Sequence, residues 1–155
     1  MDKIAGLTIG GGDNLPQNSY LKDKVLELEE SMLAVGGTTD TESISPVNNY
    51  HCKGTYAREI FIIKGTCIVG KIHRHEHINV ISKGKCLVVT EAGREILEAP
   101  LTFISLPGIK RAVYAIEDTV WTTVHPTEKT DMDEIEKEII APSYEDLDNV
   151  LEELP

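Results

Sequence analysis

The chain has no stretch of eighteen consecutive apolar residues, whereas a bilayer-crossing helix needs ~20 of them. No membrane span is therefore expected. Its start, Met1-Asp2-Lys3-Ile4, carries neither a basic cluster nor an apolar run, so no secretory leader is read there. Cysteine is scarce and odd in number: Cys52, Cys67 and Cys86 show no C-x-x-C spacing. That disfavours a disulfide framework or a thiolate metal site and fits reduced thiols in a cytoplasmic protein. Catalytic signatures are missing too, with no G-x-S-x-G elbow, no H-E-x-x-H helix and no G-x-G-x-x-G turn. Gly10-Gly11-Gly12 has no Gly-Lys-Ser/Thr after it and no apolar strand before it. It reads as a flexible arm rather than a phosphate loop.

What is present is enough for one domain: 155 residues can bury ~70% of their unfolded surface without staples. The net charge of −11 is unevenly spread. Residues 128–155 hold eleven acids against two lysines, a net of −9, while residues 53–111 hold ten Lys or Arg against five acids, a net of +5. Overall acidity argues against a nucleic-acid binder, and the basic middle leaves room for a small anionic molecule.

The most informative segment is His73-Arg74-His75-Glu76-His77, which holds three of the five histidines. Successive side chains of an extended strand point to opposite faces, so these three imidazoles are expected to share one face. Clustered neutral imidazoles suit zinc, iron, nickel or manganese. Glu76 would then face away from them, while Glu59 is a candidate acid or base on an inner strand.

Periodicity divides the chain into three parts. Residues 1–50 comprise the arm, an amphipathic helix built on Leu21, Val25, Leu28, Met32 and Val35 and stopped by Gly36-Gly37, and a polar linker over 38–49. Residues 51–126 switch to short β-rich runs at 59–63, 66–72, 77–81, 86–90, 101–106, 112–116 and 119–124. No helix intervenes, which predicts an antiparallel sandwich or small barrel rather than a parallel α/β sheet. Residues 127–155 form an acidic tail with one helix capped by Thr130 and ended by Pro142 and a second over 144–154.

Gly70-Lys71-Ile72-His73-x-His75, followed by Val80-Ile81-Ser82-Lys83-Gly84, resembles the first motif of the cupin superfamily, the RmlC-like jelly rolls. Pro107-Gly108-Ile109-Lys110-Arg111 resembles the start of its second motif. The resemblance covers residues 52 to 125 and implies a mainly β, double-stranded β-helix (jelly-roll) barrel, often a homo-oligomer. Within the superfamily the chain is most similar to small uncharacterised proteins of tailed bacteriophages. The run Tyr114-Ala115-Ile116-Glu117-Asp118-Thr119-Val120-Trp121-Thr122-Thr123-Val124-His125-Pro126 is the longest phrase that carries this likeness.

Two departures from the motifs matter. The family's metal-binding glutamate position falls on His77, and its second-motif histidine falls on Arg111, which cannot ligate a cation. His73 and His77 are therefore the leading metal candidates, with His75 or His125 as the third; His125 shares strand parity with Trp121. The rival expectation is a metal-free pocket in which Arg58 and Arg111 grip a carboxylate or phosphate, Trp121 stacks on a ring and His51 closes over the barrel mouth. Three functions compete, in this order: a phage accessory protein binding a metal or a small anion, a metal-dependent enzyme (dioxygenase, isomerase or hydrolase), and a virion-associated structural component. The expected location is the cytoplasm, that of the host for a viral chain.

Overall fold

The computed structural model describes residues 19–147. Helix α1 (Ser19–Ala34) comes first and is followed by a 3-10 turn at Thr41–Ser43. The strands are β1 (Val47–Cys52), β2 (Thr55–Ile62), β3 (Cys67–Val69), β4 (Ile72–His73), β5 (His77–Lys83), β6 (Lys85–Thr90), β7 (Gly93–Glu98), β8 (Leu101–Ser105), β9 (Ala112–Ala115) and β10 (Thr119–Pro126). Helix α2 (Met132–Ile139) runs directly into β11 (Ile140–Ala141).

Every strand pairing is antiparallel. One sheet has the order β1-β2-β10-β5-β8 and the other β3-β9-β6-β7, while β4 pairs separately with β11. Alternation decides what lies between the sheets. Ile60, Ile62, Ile81, Phe103 and Trp121 from the first meet Cys86, Val88, Leu97, Val113 and Ala115 from the second in one buried cluster. The β5–β6 hairpin turns on the single residue Gly84, at φ +91°, where a Cβ would lie 2.2 Å from the Asp118 carbonyl oxygen. Only glycine fits both the left-handed backbone and that close approach.

The expected strands are present, with the run expected over 66–72 divided into β3 and β4. Three strands lie where none was expected: β1, β7 and the short β11. β1 occupies the expected linker, and every residue after Val47 is exposed, so it has no apolar alternation to signal it. β7 is an edge strand with one buried residue, Leu97. Pairing to β2 and β6 respectively, not side-chain pattern, makes them strands.

At the other end, Asp131 rather than Thr130 caps α2, accepting from the Glu134 amide at 3.1 Å. The helix ends at Ile139, before Pro142, because the chain turns there to pair with β4. Residues 144–147 begin the expected second helix; its remainder, like the glycine arm, lies outside the described residues. Ile135 and Ile139 pack on Tyr56, which lays α2 across one end of the roll.

Candidate metal and ligand site

The register of the five-stranded sheet arranges its inner face in rows. The deepest row is Val47, Ile60, Trp121, Ile81 and Leu101, all apolar. Above it run Asn49, Arg58, Thr123, Asn79 and Phe103. Nearest α2 come His51, Tyr56 and His125 on adjacent strands, with His77 opposite Ser105 on β5 and β8. His73 reaches the same place from β4. A cavity of about 330 Å³ opens over these rows. Its lining includes Arg58, His73, His77, Arg111, Trp121 and His125.

Three histidines converge. The ligand nitrogens of His73, His77 and His125 all lie within 4.8 Å of one another, and the ring centroids are 4.3 Å (His73–His77), 4.7 Å (His77–His125) and 5.2 Å (His73–His125) apart. Burial is the main cause that depresses all three from the ordinary 6.5, to about 2 for His73, about 4 for His77 and about 3 for His125. Like-signed neighbours add to it: His77 and His125 on His73, Arg111 on His77, and His77 on His125. At neutral pH the rings are uncharged and keep a lone pair for a cation.

His75 does not join them. Its side chain is exposed, because the chain bends at residues 74–75 instead of continuing β4 into β5. The bend is held by the Arg74 amide, which donates to the Ile139 carbonyl at 2.7 Å, and by its guanidinium, which donates to the carbonyls of Ile140 and Asp146. The expectation that residues 73, 75 and 77 share one strand face therefore needs correcting: the C-terminal segment interrupts the alternation, and two of the three turn inward. His75 contributes its backbone instead. Its carbonyl lies 3.1 Å from His77 Nδ1; an Nδ1–H donated there leaves Nε2 as the free lone pair.

That free nitrogen provides a test of whether a metal fits. His77 Nε2 and His73 Nδ1 are buried with no hydrogen-bond partner. Buried polar atoms are nearly always satisfied, so two orphaned imidazole nitrogens beside a third ring fit a cation. Nitrogens at ~2.1 Å from one tetrahedral ion stand ~3.4 Å apart, so from separations of up to 4.8 Å the rings need to close by up to about 1.4 Å. Among the described residues no carboxylate stands with them, and the donor set is all imidazole.

The remaining expected residues divide. Arg111 and Arg58 line the cavity, and Arg111 is only 7% exposed. Trp121 is a core residue whose Nε1 donates to Asn79 Oδ1 at 2.9 Å while its ring meets Phe103 edge-on. His51 is exposed on β1 and packs against Tyr56 at 5.2 Å, so Tyr56 stands between it and the cluster. Glu59 faces outward, accepting from Asn48 and Tyr50, and so is no acid or base for the cavity. Asn79 and Ser105 were not legible beforehand. Asn79 donates to Ser105 Oγ at 2.8 Å, and Arg111 donates to the same oxygen. Both are short polar residues on apolar strands, a faint signal in a linear reading.

Among solved structures, salicylate 1,2-dioxygenase from Pseudaminobacter salicylatoxidans superposes with a TM-score of 0.53 at 11% identity, over 84% of this chain and 41% of that one. The fold is a cupin-like jelly roll. A cupin 2 domain-containing protein from Halorhodospira halophila (TM-score 0.49, 15% identity, 74% of this chain and 81% of that one) and KdgF from a Halomonas species (0.49, 18%, 62% and 88%) are also similar. No protein-family model matches the sequence, and no curated protein matches it. In this cupin-like roll the imidazoles come from β4, β5 and β10, and Arg111 precedes β9 of the facing sheet.

Proposed function

We propose that this cupin-like chain binds a divalent transition metal on His73, His77 and His125, and that the cavity beside it takes a small anionic molecule. The observation that carries this reading is the trio of neutral imidazoles, His77 and His125 buried and His73 half-buried, two of them with a buried, unpartnered nitrogen. Zinc or iron suits an all-imidazole set, with nickel and manganese next. Such a metal, once bound, supplies a Lewis acid to a ligand oxygen. The chain's own residues do the rest. The His75 carbonyl orients His77, burial keeps the rings unprotonated, and Ile60, Ile62, Val113 and Ile139 keep the cavity walls apolar.

Binding ranks ahead of catalysis because the carboxylates among the described lining residues, Asp40, Glu42 and Glu136, lie on the 3-10 turn region and α2, not on the strands that carry the imidazoles. A metal-dependent enzyme is the second reading, favoured by three protein ligands that leave coordination positions open towards a cavity. The phage accessory role and host-cytoplasmic location belong to the same proposal through the sequence resemblance. No helix among the described residues is long and apolar enough to cross a membrane. A homo-oligomer is also proposed. Its support is an outer-face row, Tyr50, Ala57, Val124, Ile78 and Ile104, which runs across all five strands with Tyr50, Ile78 and Ile104 each about half exposed.

Elemental analysis of protein purified without chelators, under conditions that spare labile iron, tests the metal. Stoichiometric metal in the native chain and little in His77→Leu is expected. A native chain that arrives empty and takes up neither zinc nor ferrous iron on titration refutes the reading.

A further inference from the structure

Arg111 is a cation without an anion. Its guanidinium lies on the cavity wall, donates to the neutral Ser105 hydroxyl, rests 5.7 Å from the Phe103 ring centroid and leaves Nε buried without a partner. No carboxylate pairs with it among the described residues. Burying an unpaired charge costs several kcal/mol unless something compensates it, and a relay of neutral groups, Trp121 to Asn79 to Ser105 to Arg111, holds the side chain in this unfavourable place. That relay is a built mount for a guanidinium fork.

We propose, resting on the metal reading above, that the ligand is a small organic carboxylate with an apolar body, its carboxylate on Arg111 and a second oxygen facing the His73–His77–His125 cluster. Three observations set that class. Ser105, which receives Arg111, is the cross-strand neighbour of His77, with about 5 Å between the two backbones, so the fork and the imidazoles share one end of the cavity, where one small acid can meet both. Arg58, the other cavity arginine, is rooted on β2, its backbone three strands, about 14 Å, from the β8 that carries Ser105, and its charge acts on His73 and His125. Arg111 has the built mount beside His77, and its two parallel donors meet an acidic group that a carboxylate satisfies in the planar bidentate geometry. Ile68, Val69, Val113 and Ile139 give the wall a hydrocarbon stretch suited to the acid's body, while the lining carboxylates Asp40, Glu42 and Glu136 belong to the 3-10 turn region and α2. Lysines do not compete for that role: Lys71 is paired with Glu136, and Lys110 with Glu29.

The test titrates the cobalt(II)-loaded chain with 4-methyl-2-oxopentanoate, its neutral amide and inorganic phosphate, by calorimetry and by the visible cobalt spectrum. The acid is expected to bind and to perturb the spectrum, with the amide about 10–100-fold weaker and phosphate weaker than the acid. Arg111→Met is expected to keep its cobalt while losing that preference, and Arg111→Lys, which keeps the charge without the fork, to lie between. Equal affinity for acid and amide, undiminished acid binding in Arg111→Met, or phosphate binding as tightly as the acid overturns the carboxylate assignment. If the native chain takes up no cobalt, the metal reading fails by itself. The same titration on metal-free protein then decides the carboxylate, since an acid preference lost in Arg111→Met upholds it and no preference overturns it.

Discussion

Acidifying the metal-free protein should destabilise it before its carboxylates titrate. His73, His77 and His125 are held at about 2, 4 and 3 in the folded chain by burial, whereas an unfolded histidine titrates near the ordinary ~6.5. The unfolded state therefore binds more protons than the folded one as pH drops below that value, and stability falls with pH. At pH 7.5 the imbalance is negligible. At pH 5.5 it amounts to about 1.4 kcal/mol for each histidine and about 4 kcal/mol for the three, a large part of the ~5–15 kcal/mol typical of a domain. The opposing effect has the other sign: protonation relieves self-repulsion in a chain of net charge −11 and would raise stability. Urea denaturation at pH 7.5, 6.5 and 5.5 after chelation measures the balance. The native chain should lose several kcal/mol over that range, and His77→Leu about a third less, since one of three titrating groups is gone. Because that opposing effect is shared by the two proteins, a loss of stability on acidification no smaller in His77→Leu than in the native chain refutes the claim that the rings are held neutral.

Other perturbations follow from individual contacts. Gly84→Ala should lower the urea midpoint by the equivalent of more than about 2 kcal/mol, because the new Cβ would meet the Asp118 carbonyl oxygen at 2.2 Å and the backbone is at φ +91°; a near-native midpoint would contradict that. Trp121→Phe keeps the ring in the core but removes the donor to Asn79, leaving a buried acceptor at a cost of about 1–3 kcal/mol by the same assay. Arg111→Met should melt no lower than the native chain, since replacing a buried unpaired cation with hydrocarbon is neutral or stabilising. A marked fall in Tm would make Arg111 a structural residue.

Some of this molecule was legible without coordinates. Alternation is local, so the β-rich part over 51–126, the helix built on Leu21 to Val35 and the inward parity of Trp121 with His125 could be read from spacing alone. Strands β1 and β7 could not, because an edge strand owes its conformation to hydrogen bonds from a neighbour rather than to its own apolar pattern. The site shows the same division. Residue type marked His73, His75, His77 and His125 as candidate ligands, and the motif resemblance marked Arg111 as the substitution where a ligand was expected. Tertiary structure alone decided that His75 turns outward, since that depends on Arg74 bonding to Ile139, Ile140 and Asp146 more than sixty residues away. It also decided that Asn79 and Ser105 carry the buried guanidinium. A sequence specifies which groups can donate, accept or ligate; only folding sets which of them are deprived of water together, and that shared burial is what keeps the imidazoles neutral and leaves Arg111 without a counter-charge.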